Sequence, residues 1–347
     1  MAKITLEDIL NLEPNKVPTD VKSYSTFIYS YPKAGKTTFI NDLYGERVIF
    51  IATERRHDAI PGAMVINVDS WAEFLQVMKH LRKPEAREKF DAICIDTVGR
   101  LEAYAEAYVL STLGIDDLSD AMWGKGFSAY NKELEHGLSL IEKSGYVPVF
   151  ITHAKTETKK VLVSEATNKE KNLDSAQIVK EKDGKEYVEY QKTVPDVKNK
   201  FFNMINRVAD NILFLDLTVD SSGVEHRKIF YRDSLEHLAG ATFRNMPEYT
   251  DLSPKAYQDA VKKAIESEGK ENIVDESREQ SKGTEYDYNA LMTEVAELGK
   301  KLQQDGKAEE RNKIIENVLG KGRKVKDLDE SQSEVLSVLV DELKEIG

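Results

Sequence analysis

The residues with the clearest chemical meaning form one stretch, Ser30–Thr37, which reads SYPKAGKT. It matches seven of the eight positions of the phosphate-binding loop (P-loop) pattern G-x-x-x-x-G-K-[ST], with Ser30 replacing the first glycine. Backbone N–H groups of such a loop cradle phosphates, the lysine reaches the terminal phosphates, and the hydroxyl holds Mg²⁺. The lost glycine removes some freedom to adopt positive φ where the loop begins. The alternative is a chance Gly-Lys-Thr sequence in a surface turn. The predicted nucleotide-binding residues are Ser30, Tyr31, Pro32, Lys33, Ala34, Gly35, Lys36, Thr37 and Thr38.

Continuous apolar runs further along the chain end in polar residues. The runs are Val48–Ile51, Ala92–Ile95 and Val147–Ile151, and they are typical of strands buried on both faces of a parallel sheet. Ligands bind at the carboxyl ends of such strands. Asp96 is therefore interpreted as the carboxylate that shares Mg²⁺ with Thr37, directly or through water. The alternative is an ordinary strand-end aspartate that caps a helix.

Two other strand-end residues could take part in catalysis. Glu54 follows the strand after the P-loop helix, where a carboxylate can orient and deprotonate an attacking water molecule. It could equally be a solvated residue at the start of the charged run Glu54–Asp58. His153 could sense a terminal phosphate, or it could be a histidine whose hydrogen bonds are satisfied at the rim of the sheet.

The resemblance to a known family rests on the segments FIYSYPKAGKTTF, VIFIATE, ICIDTVGRL, MWGKGFSAYNKEL and VPVFITHAKTE. Together they resemble the RecA-like ATPases of bacteriophages, AAA-domain nucleotide-binding proteins that include the Sak-type recombination proteins. The resemblance runs from about residue 20 to residue 250. Its most specific parts are the Glu54 strand and the segment Trp123–Gly126, because the P-loop and the Asp96 strand occur in many nucleotide-binding proteins.

The resemblance implies an α/β fold: a RecA-like P-loop NTPase core with a mostly parallel central sheet flanked by helices. It implies ATP hydrolysis with Mg²⁺, a homo-oligomeric ring or filament, work on single-stranded DNA, and a single-stranded-DNA-binding protein as a further partner. In that setting Glu54 is the catalytic base, Lys36 stabilises the leaving charge, and His153 occupies the sensor position. Because Ser30 and Lys33 replace glycines often found in the family's loop, the hydrolysis rate is more in question than nucleotide binding.

The composition is compatible with a P-loop NTPase but does not by itself indicate one. A chain of 347 residues with 40% hydrophobic content can form one large domain and a small one. No apolar run approaches about 18 residues and no signal peptide is visible. We therefore expect a soluble protein without a membrane partner, located in the cytoplasm, that of the host cell if a phage encodes it. Cys94 is the single cysteine, so an intramolecular disulfide is excluded.

The net charge of −12 argues against an extensive DNA-binding surface, so any contact with DNA must be local. Residues 155–200 form a polar insertion in which Val161–Val163 and Tyr187–Tyr190 are predicted as short strands, with a turn at Asp183-Gly184. RecA-like proteins carry a DNA-binding loop at this position. Lys155, Lys159 and Lys160 could contact backbone phosphates, and Tyr187 and Tyr190 could stack on bases. The alternative is a solvated hairpin with scattered charges.

The core pattern then resumes with a helix over Phe201–Ala209 and strands over Asn211–Leu217 and Glu225–Tyr231. A basic residue near the end of such a strand could reach the γ-phosphate of a neighbouring subunit, as an arginine finger does. The candidates for this trans-acting role are Lys228, Arg232 and Arg244. Each could equally be a surface charge or a member of an intrachain ion pair.

These patterns divide the chain into an N-terminal segment (1–20), a core (21–262), a linker (263–286) and a three-helix domain (287–347). Thr5–Leu12 could form a short amphipathic helix that docks on a neighbouring subunit or covers its own core. Apolar residues at helical spacing predict the three C-terminal helices. Between them, the basic loop Lys321–Lys326 could bind DNA or a protein partner, or it could be a solvated turn.

The function that follows is an ATP-dependent recombination protein that binds single-stranded DNA. One alternative is a nucleotide-gated scaffold or loader for replication proteins, with little hydrolysis. Another is a small-molecule kinase, which would share the P-loop but needs an arginine-rich lid. The insertion over residues 155–200 contains no arginine, which disfavours the kinase.

Overall fold

The computed structural model describes residues 6–14, 16–55, 57–182, 184–219, 222–268, 273–274 and 286–346. Asp183 of the predicted turn, Thr5 of the predicted N-terminal helix and most of the predicted linker lie outside these residues. The chain divides into two compact units, with the division between residues 282 and 283.

The strands are β1 (Val17–Pro18), β2 (Thr26–Ser30), β3 (Val48–Ala52), β4 (Met64–Asn67), β5 (Ala92–Asp96), β6 (Val147–Leu162), β7 (Gln177–Lys180), β8 (Glu186–Pro195), β9 (Asn211–Val219), β10 (Glu225–Phe230), β11 (Gly240–Ala241), β12 (Tyr249–Asp251) and β13 (Ile273–Val274). The helices are α1 (Leu6–Leu10), α2 (Lys36–Tyr44), α3 (Trp71–Leu81), α4 (Pro84–Lys89), α5 (Val98–Leu113), α6 (Lys125–Glu142), α7 (Asn168–Lys171), α8 (Asn199–Val208), α9 (Pro254–Ser267), α10 (Tyr288–Gln304), α11 (Ala308–Leu319) and α12 (Ser333–Ile346).

The central sheet of the first unit has the strand order β12-β10-β9-β2-β6-β5-β3-β4. Neighbouring strands from β9 to β4 are parallel, whereas β10 and β12 extend the sheet in antiparallel fashion. The P-loop strand β2 and the Asp96 strand β5 are not neighbours, because β6 lies between them. Since parallel strands end at the same edge of a sheet, Ser30, Asp96 and His153 meet at one edge.

Helices cover both faces of this sheet, and each face has its own apolar core. Alternate residues of β2 supply both cores: Phe27 and Tyr29 pack on the side of α3, α5, α6 and α8, and Ile28 packs on the side of α2 and α9. The residues of β2, β3 and β5 are buried throughout, as expected for strands covered on both faces. The predicted fold class, a mostly parallel α/β sheet flanked by helices, is confirmed.

Elements around the core match the predictions with small shifts. The structure has α8, β9 and β10 at the predicted helix and strands, and Cys94 is buried in β5. The edge strand β4 was not predicted, although Met64–Ile66 is a short apolar run; its residues are half-buried or exposed.

The polar insertion is built on an unusually long strand. β6 has 16 residues: its first part pairs with β2 and β5, and from Ala154 onward it pairs with β8 in antiparallel fashion. β7 adds a third strand on the far side of β8. The strand predicted at Val161–Val163 is present as the distal end of β6, which is longer than predicted and ends at Leu162, where it pairs with the predicted strand at Tyr187–Tyr190. We call β7, β8 and the part of β6 beyond His153 the hairpin.

One aromatic residue of the hairpin cannot have the predicted role. Tyr190 is only 7% exposed, and burial raises the pKa of its hydroxyl. The Tyr190 ring is thus not available for stacking on a base. Tyr187 is half-buried and keeps part of its surface accessible.

The ends of the first unit also differ from the prediction. α9 continues to Ser267, and its residues Ala264 and Ile265 are 1% exposed, so the linker does not begin at residue 263. β13 pairs with β1 in parallel. In α1 and just after it, the apolar side chains Leu6, Ile9, Leu10 and Leu12 are exposed, so this segment does not cover its own core. Its docking on a neighbouring subunit stays a prediction.

The second unit contains the three helices expected from the C-terminal pattern. α10, α11 and α12 pack around a core that includes Val295, Leu302, Leu319, Leu336, Leu339, Val340 and Leu343. The side chain of Leu302 is fully buried, although the unit as a whole is small. The basic loop Lys321–Lys326 connects α11 to α12 and is exposed over most of its length.

We predict that Gly137→Ala destabilises the first unit. A Cβ atom at Gly137 would lie 2.4 Å from Trp71 Cη2, and the indole cannot easily retreat because its Nε1 donates to Glu133 Oε1 at 2.6 Å. The overpacking outweighs the better helix propensity of alanine, so the free energy of unfolding should fall by about 1–2 kcal/mol. Gly299→Ala in α10 is the control, since the nearest atom would be 4.0 Å away. Chemical denaturation measures both; an unchanged or higher stability of Gly137→Ala would contradict this packing.

Candidate active site

The P-loop joins β2 to α2 and takes its shape from two residues with positive φ. Gly35, the residue before α2, has a φ of 102°, and Lys33 has a φ of 68°. Ser30 is the last residue of β2 and is fully buried. The expected loss of backbone freedom at Ser30 is therefore wrong, because an extended strand residue needs no glycine. The left-handed residue of the loop is Lys33, where a side chain costs about 1–2 kcal/mol.

The serine at position 30 instead interacts with the loop lysine. Lys36 is 7% exposed, and its Nζ donates to Ser30 Oγ at 2.9 Å and to the carbonyl oxygens of Ser30 and Tyr31 at 3.2 and 3.4 Å. The Ser30 hydroxyl in turn donates to the Tyr31 carbonyl at 2.8 Å. The ammonium group thus lies inside the loop, at the place where the P-loop pattern requires a cation.

The two predicted magnesium ligands are in direct contact. Thr37 Oγ1 donates to Asp96 Oδ2 at 2.7 Å. The described residues contain no cluster of three or more His, Cys, Asp or Glu side chains that could hold a metal. Thr37 and Asp96 nevertheless fit Mg²⁺, because Mg²⁺ at nucleotide sites is held by one or two protein oxygens, phosphate oxygens and water. Asp96 is 7% exposed, so a cation would also compensate a buried negative charge.

Sequence reasoning missed a third member of this group, His57. Its Nε2 lies 3.2 Å from Asp96 Oδ2, and the two side chains are 6% and 9% exposed. A short 3₁₀ turn over His57–Ala59 places the imidazole next to the Phe50 ring, at a centroid distance of 5.5 Å. Its Nδ1 is buried with no hydrogen-bond partner among the described residues. The only signal in the sequence was a histidine within the charged run after Glu54.

The two proposed catalytic residues face each other at the same edge. His153 Nε2 is 3.5 Å from Glu54 Oε1, and the side chains are 30% and 23% exposed. Thr97 Oγ1 lies 3.4 Å from the same Glu54 oxygen. The segment that follows β3 is fixed to the end of β5, because the Thr53 N–H donates to the Asp96 carbonyl at 2.8 Å. Glu54 is therefore held beside Asp96, with part of its carboxylate accessible to water.

These residues line one cavity of about 670 Å³. This volume lies within the usual range of ligand-binding cavities, roughly 300–1,000 Å³, so the cavity is large enough for a nucleoside triphosphate. The lining residues are Pro32, Lys33, Gly35, Lys36, Thr37, Thr38, Glu54, His57, Ala59, Ile60, Asp96, Thr97, His153 and Arg227. The cavity brings together the predicted magnesium and catalytic residues with six of the nine predicted nucleotide-binding residues; Ser30, Tyr31 and Ala34 do not line it. It adds Arg227, which was not predicted from the sequence.

The three trans-acting candidates do not line this cavity. Lys228 Nζ lies 4.1 Å from the centre of the Tyr249 ring. The Arg232 guanidinium donates to the Met246 carbonyl at 2.5 and 2.8 Å. Arg244 lines a separate cavity with Ser267 and Glu268. A role of any of these residues in a neighbouring subunit's site stays a prediction.

The three lysines proposed to contact DNA form ion pairs. Lys155 and Lys159 lie 3.6 and 2.8 Å from oxygens of Glu157, and the Lys159 hydrogen bond together with both charges holds the pKa of Glu157 below its ordinary value. Lys160 lies 2.5 Å from Glu181 and 3.3 Å from Glu189, whose hydrogen bonds raise its pKa. The lysines are 34–42% exposed. Any DNA phosphate would have to compete with these carboxylates.

The fold and the site define a P-loop NTPase. The family model described as "AAA domain" matches residues 22–243, and the chain belongs to this family. The match indicates NTPase activity in general and nucleotide binding, which in this class usually involves Mg²⁺. The chain is also similar to the SPbeta prophage-derived uncharacterized protein YorG of Bacillus subtilis (strain 168), with 28% identity over 356 positions that cover 98% of each protein. Within the described residues, no helix is long and apolar enough to cross a membrane.

We predict that His57→Gln weakens Mg²⁺-dependent nucleotide binding. His57 orients the Asp96 carboxylate, and loss of such a partner typically lowers metal affinity by about 10–100-fold. The measurement is a Mg²⁺ titration of fluorescent-nucleotide binding. His136→Gln, at an exposed histidine of α6, is the control. If His57→Gln needs no more Mg²⁺ than the control does, His57 has only a packing role.

Proposed function

We propose that the protein is a phage-type ATPase that binds single-stranded DNA, assembles into oligomers on it, and acts in recombination. The observation that carries the ATPase part is the contact between Thr37 Oγ1 and Asp96 Oδ2 at 2.7 Å, with Lys36 and Glu54 lining the same cavity. This set supplies a phosphate cradle, a magnesium site and a general base. The similarity to a prophage-derived protein supports the phage setting.

In the proposed hydrolysis, Glu54 accepts a proton from the attacking water molecule. The water oxygen bonds to the γ-phosphorus of ATP, the bond to the β–γ bridging oxygen breaks, and ADP leaves with that oxygen. Lys36 exchanges its contacts with Ser30 and Tyr31 for phosphate oxygens and balances the charge on the leaving group. His153, 3.5 Å from Glu54, holds the carboxylate in place. Mg²⁺ bound by Thr37 and Asp96 would add positive charge at the phosphate oxygens.

Two substitutions separate binding from chemistry. Lys36→Ala should abolish tight ATP binding, whereas Glu54→Gln should bind ATP and lower turnover by about 10²-fold or more, because it keeps the size of the side chain and removes the base. Equilibrium binding and phosphate release, each with and without single-stranded DNA, measure both effects. Equal ATP affinity of wild type and Lys36→Ala would rule out the P-loop site. Unchanged turnover of Glu54→Gln would assign the base to another residue.

The DNA part of the proposal is supported by the path of β6. One continuous strand carries His153 at the cavity and Lys155, Lys159 and Lys160 in the hairpin. The hairpin also touches the P-loop directly, because the Tyr31 hydroxyl lies 2.8 Å from Thr156 Oγ1. A strand bound along the hairpin would therefore lie close to the nucleotide. We infer that ATP state and DNA binding influence each other through these contacts.

The ion pairs of the hairpin give this proposal a sharp test. Glu157→Gln removes the carboxylate that pairs with Lys155 and Lys159, so it should tighten binding of single-stranded DNA. Replacing Lys155, Lys159 and Lys160 by alanine should weaken binding and flatten its salt dependence, which for three phosphate contacts has a log–log slope of roughly −2. Both are measured by fluorescence anisotropy over a salt series.

Removal of residues 287–347 is the control, since it deletes Lys321–Lys326 and leaves the first unit intact. If the truncated protein loses DNA binding and the triple-alanine variant does not, the DNA site is in the second unit. If neither the truncation nor the triple-alanine variant weakens binding of single-stranded DNA, and Glu157→Gln does not tighten it, the hairpin is a solvated structural element.

A further inference from the structure

The strand β10 brings one more cation to the cavity. Arg227 lines the cavity together with the P-loop, and its Nη1 lies 3.4 Å from the position that a Cβ atom at Gly35 would occupy. Leu252, whose N–H donates to the Arg227 carbonyl at 2.8 Å, approaches the same position to 3.3 Å. The guanidinium thus lies against the backbone of the P-loop within the same chain.

The neighbouring residue Lys228 points the other way. Successive side chains of a strand lie on opposite faces of the sheet, and Lys228 Nζ lies over the Tyr249 ring. Lys228 and Tyr249 therefore share one face, while Arg227 and Leu252 share the face that meets the P-loop. A one-residue difference in position decides which cation reaches the cavity.

The charges around Arg227 favour an anion at this place. Its guanidinium has no hydrogen-bond or ion-pair partner among the described residues, and the buried ammonium of Lys36 lines the same cavity. α2 also begins at Lys36, so its N-terminal N–H groups add positive potential at the loop. Three cationic residues, Lys33, Lys36 and Arg227, line this cavity, and the two carboxylates there, Glu54 and Asp96, lie just after β3 and at the end of β5. A phosphate bound beside Gly35 would place negative charge next to the Arg227 guanidinium.

We propose that Arg227 binds the nucleotide phosphates that ATP and ADP share, in the site of its own chain. The inference rests on the proposed nucleotide site and adds a residue to it. Gly35 belongs to the part of the P-loop whose N–H groups cradle the α- and β-phosphates. Glu54 and His153 occupy the end of the cavity where the γ-phosphate reacts. Arg227 therefore contacts the nucleotide bound by its own chain.

Nucleotide affinity tests this role. Arg227→Gln should weaken ATP and ADP binding equally, by about 10-fold, the effect of one charge-assisted hydrogen bond. Arg227→Lys should retain part of the affinity, because it keeps the charge and loses the planar fork. Arg207→Gln, the same change at an exposed arginine of α8, controls for net charge. Titration calorimetry with ATP and with ADP at fixed Mg²⁺ measures all variants.

The outcomes separate this inference from the proposed function. If Lys36→Ala loses binding and Arg227→Gln does not, Arg227 is not a phosphate ligand and the P-loop site stands. If neither change weakens binding, both proposals fail. A loss confined to ATP would place Arg227 at the γ-phosphate and overturn its assignment to the shared phosphates. Weaker binding in Lys228→Gln, with Arg227→Gln unchanged, would show that the wrong face of β10 was chosen.

A mixing experiment tests whether Arg227 acts in its own chain. Arg227→Gln and Glu54→Gln subunits are combined at an ATP concentration that does not saturate the Arg227→Gln variant. If Arg227 acts within its chain, every site in the mixture keeps one defect and the ATPase rate equals the average of the separate proteins. Recovery above that average would mean that one subunit supplies Arg227 to another, and the assignment would be wrong.

Discussion

The site depends on one hydrogen bond between elements that are distant in the sequence, from Thr37 Oγ1 to Asp96 Oδ2. Thr37 belongs to the helix after β2 and Asp96 ends β5, and β6 lies between the two strands. The bond can form only when β2 and β5, each paired with the first part of β6, end at nearly the same level of the sheet. His153 and Glu54 come from β6 and from the segment after β3, so the same alignment positions them. Parallel pairing in register is therefore the constraint on which the whole site rests.

Local patterns were sufficient for much of this arrangement. Buried parallel strands are apolar throughout, which made β3, β5 and the start of β6 recognisable without any knowledge of their partners. The P-loop was recognised because its chemistry restricts residue types at fixed spacing. The position of the backbone strain in the P-loop was predicted wrongly, however. The pattern predicted a cost at Ser30, which replaces a glycine, whereas the non-glycine residue with positive φ is Lys33. Residue type does not reveal where a strand ends and a loop begins within one or two positions.

The missed residues depend on long-range geometry. His57 has its role only because a short turn brings its imidazole to Asp96, 39 positions away. The choice between Arg227 and Lys228 depends on which face of β10 meets the P-loop, and the partner strands decide that. The pairing of Lys160 with Glu181 and Glu189 likewise requires the register of β6, β7 and β8. A list of basic residues cannot distinguish a free lysine from one already neutralised across a strand pair.

The continuity of β6 limits how the protein can vary. Its first part is covered on both faces, and its last part alternates between half-buried and exposed positions. Insertion of one residue in the middle would exchange the faces of every side chain beyond it, including those paired with β8. The hairpin can therefore lengthen or shorten only by matched pairs of residues in both strands. Variation among relatives should concentrate beyond Leu162, in the connections, where length is uncoupled from the cavity.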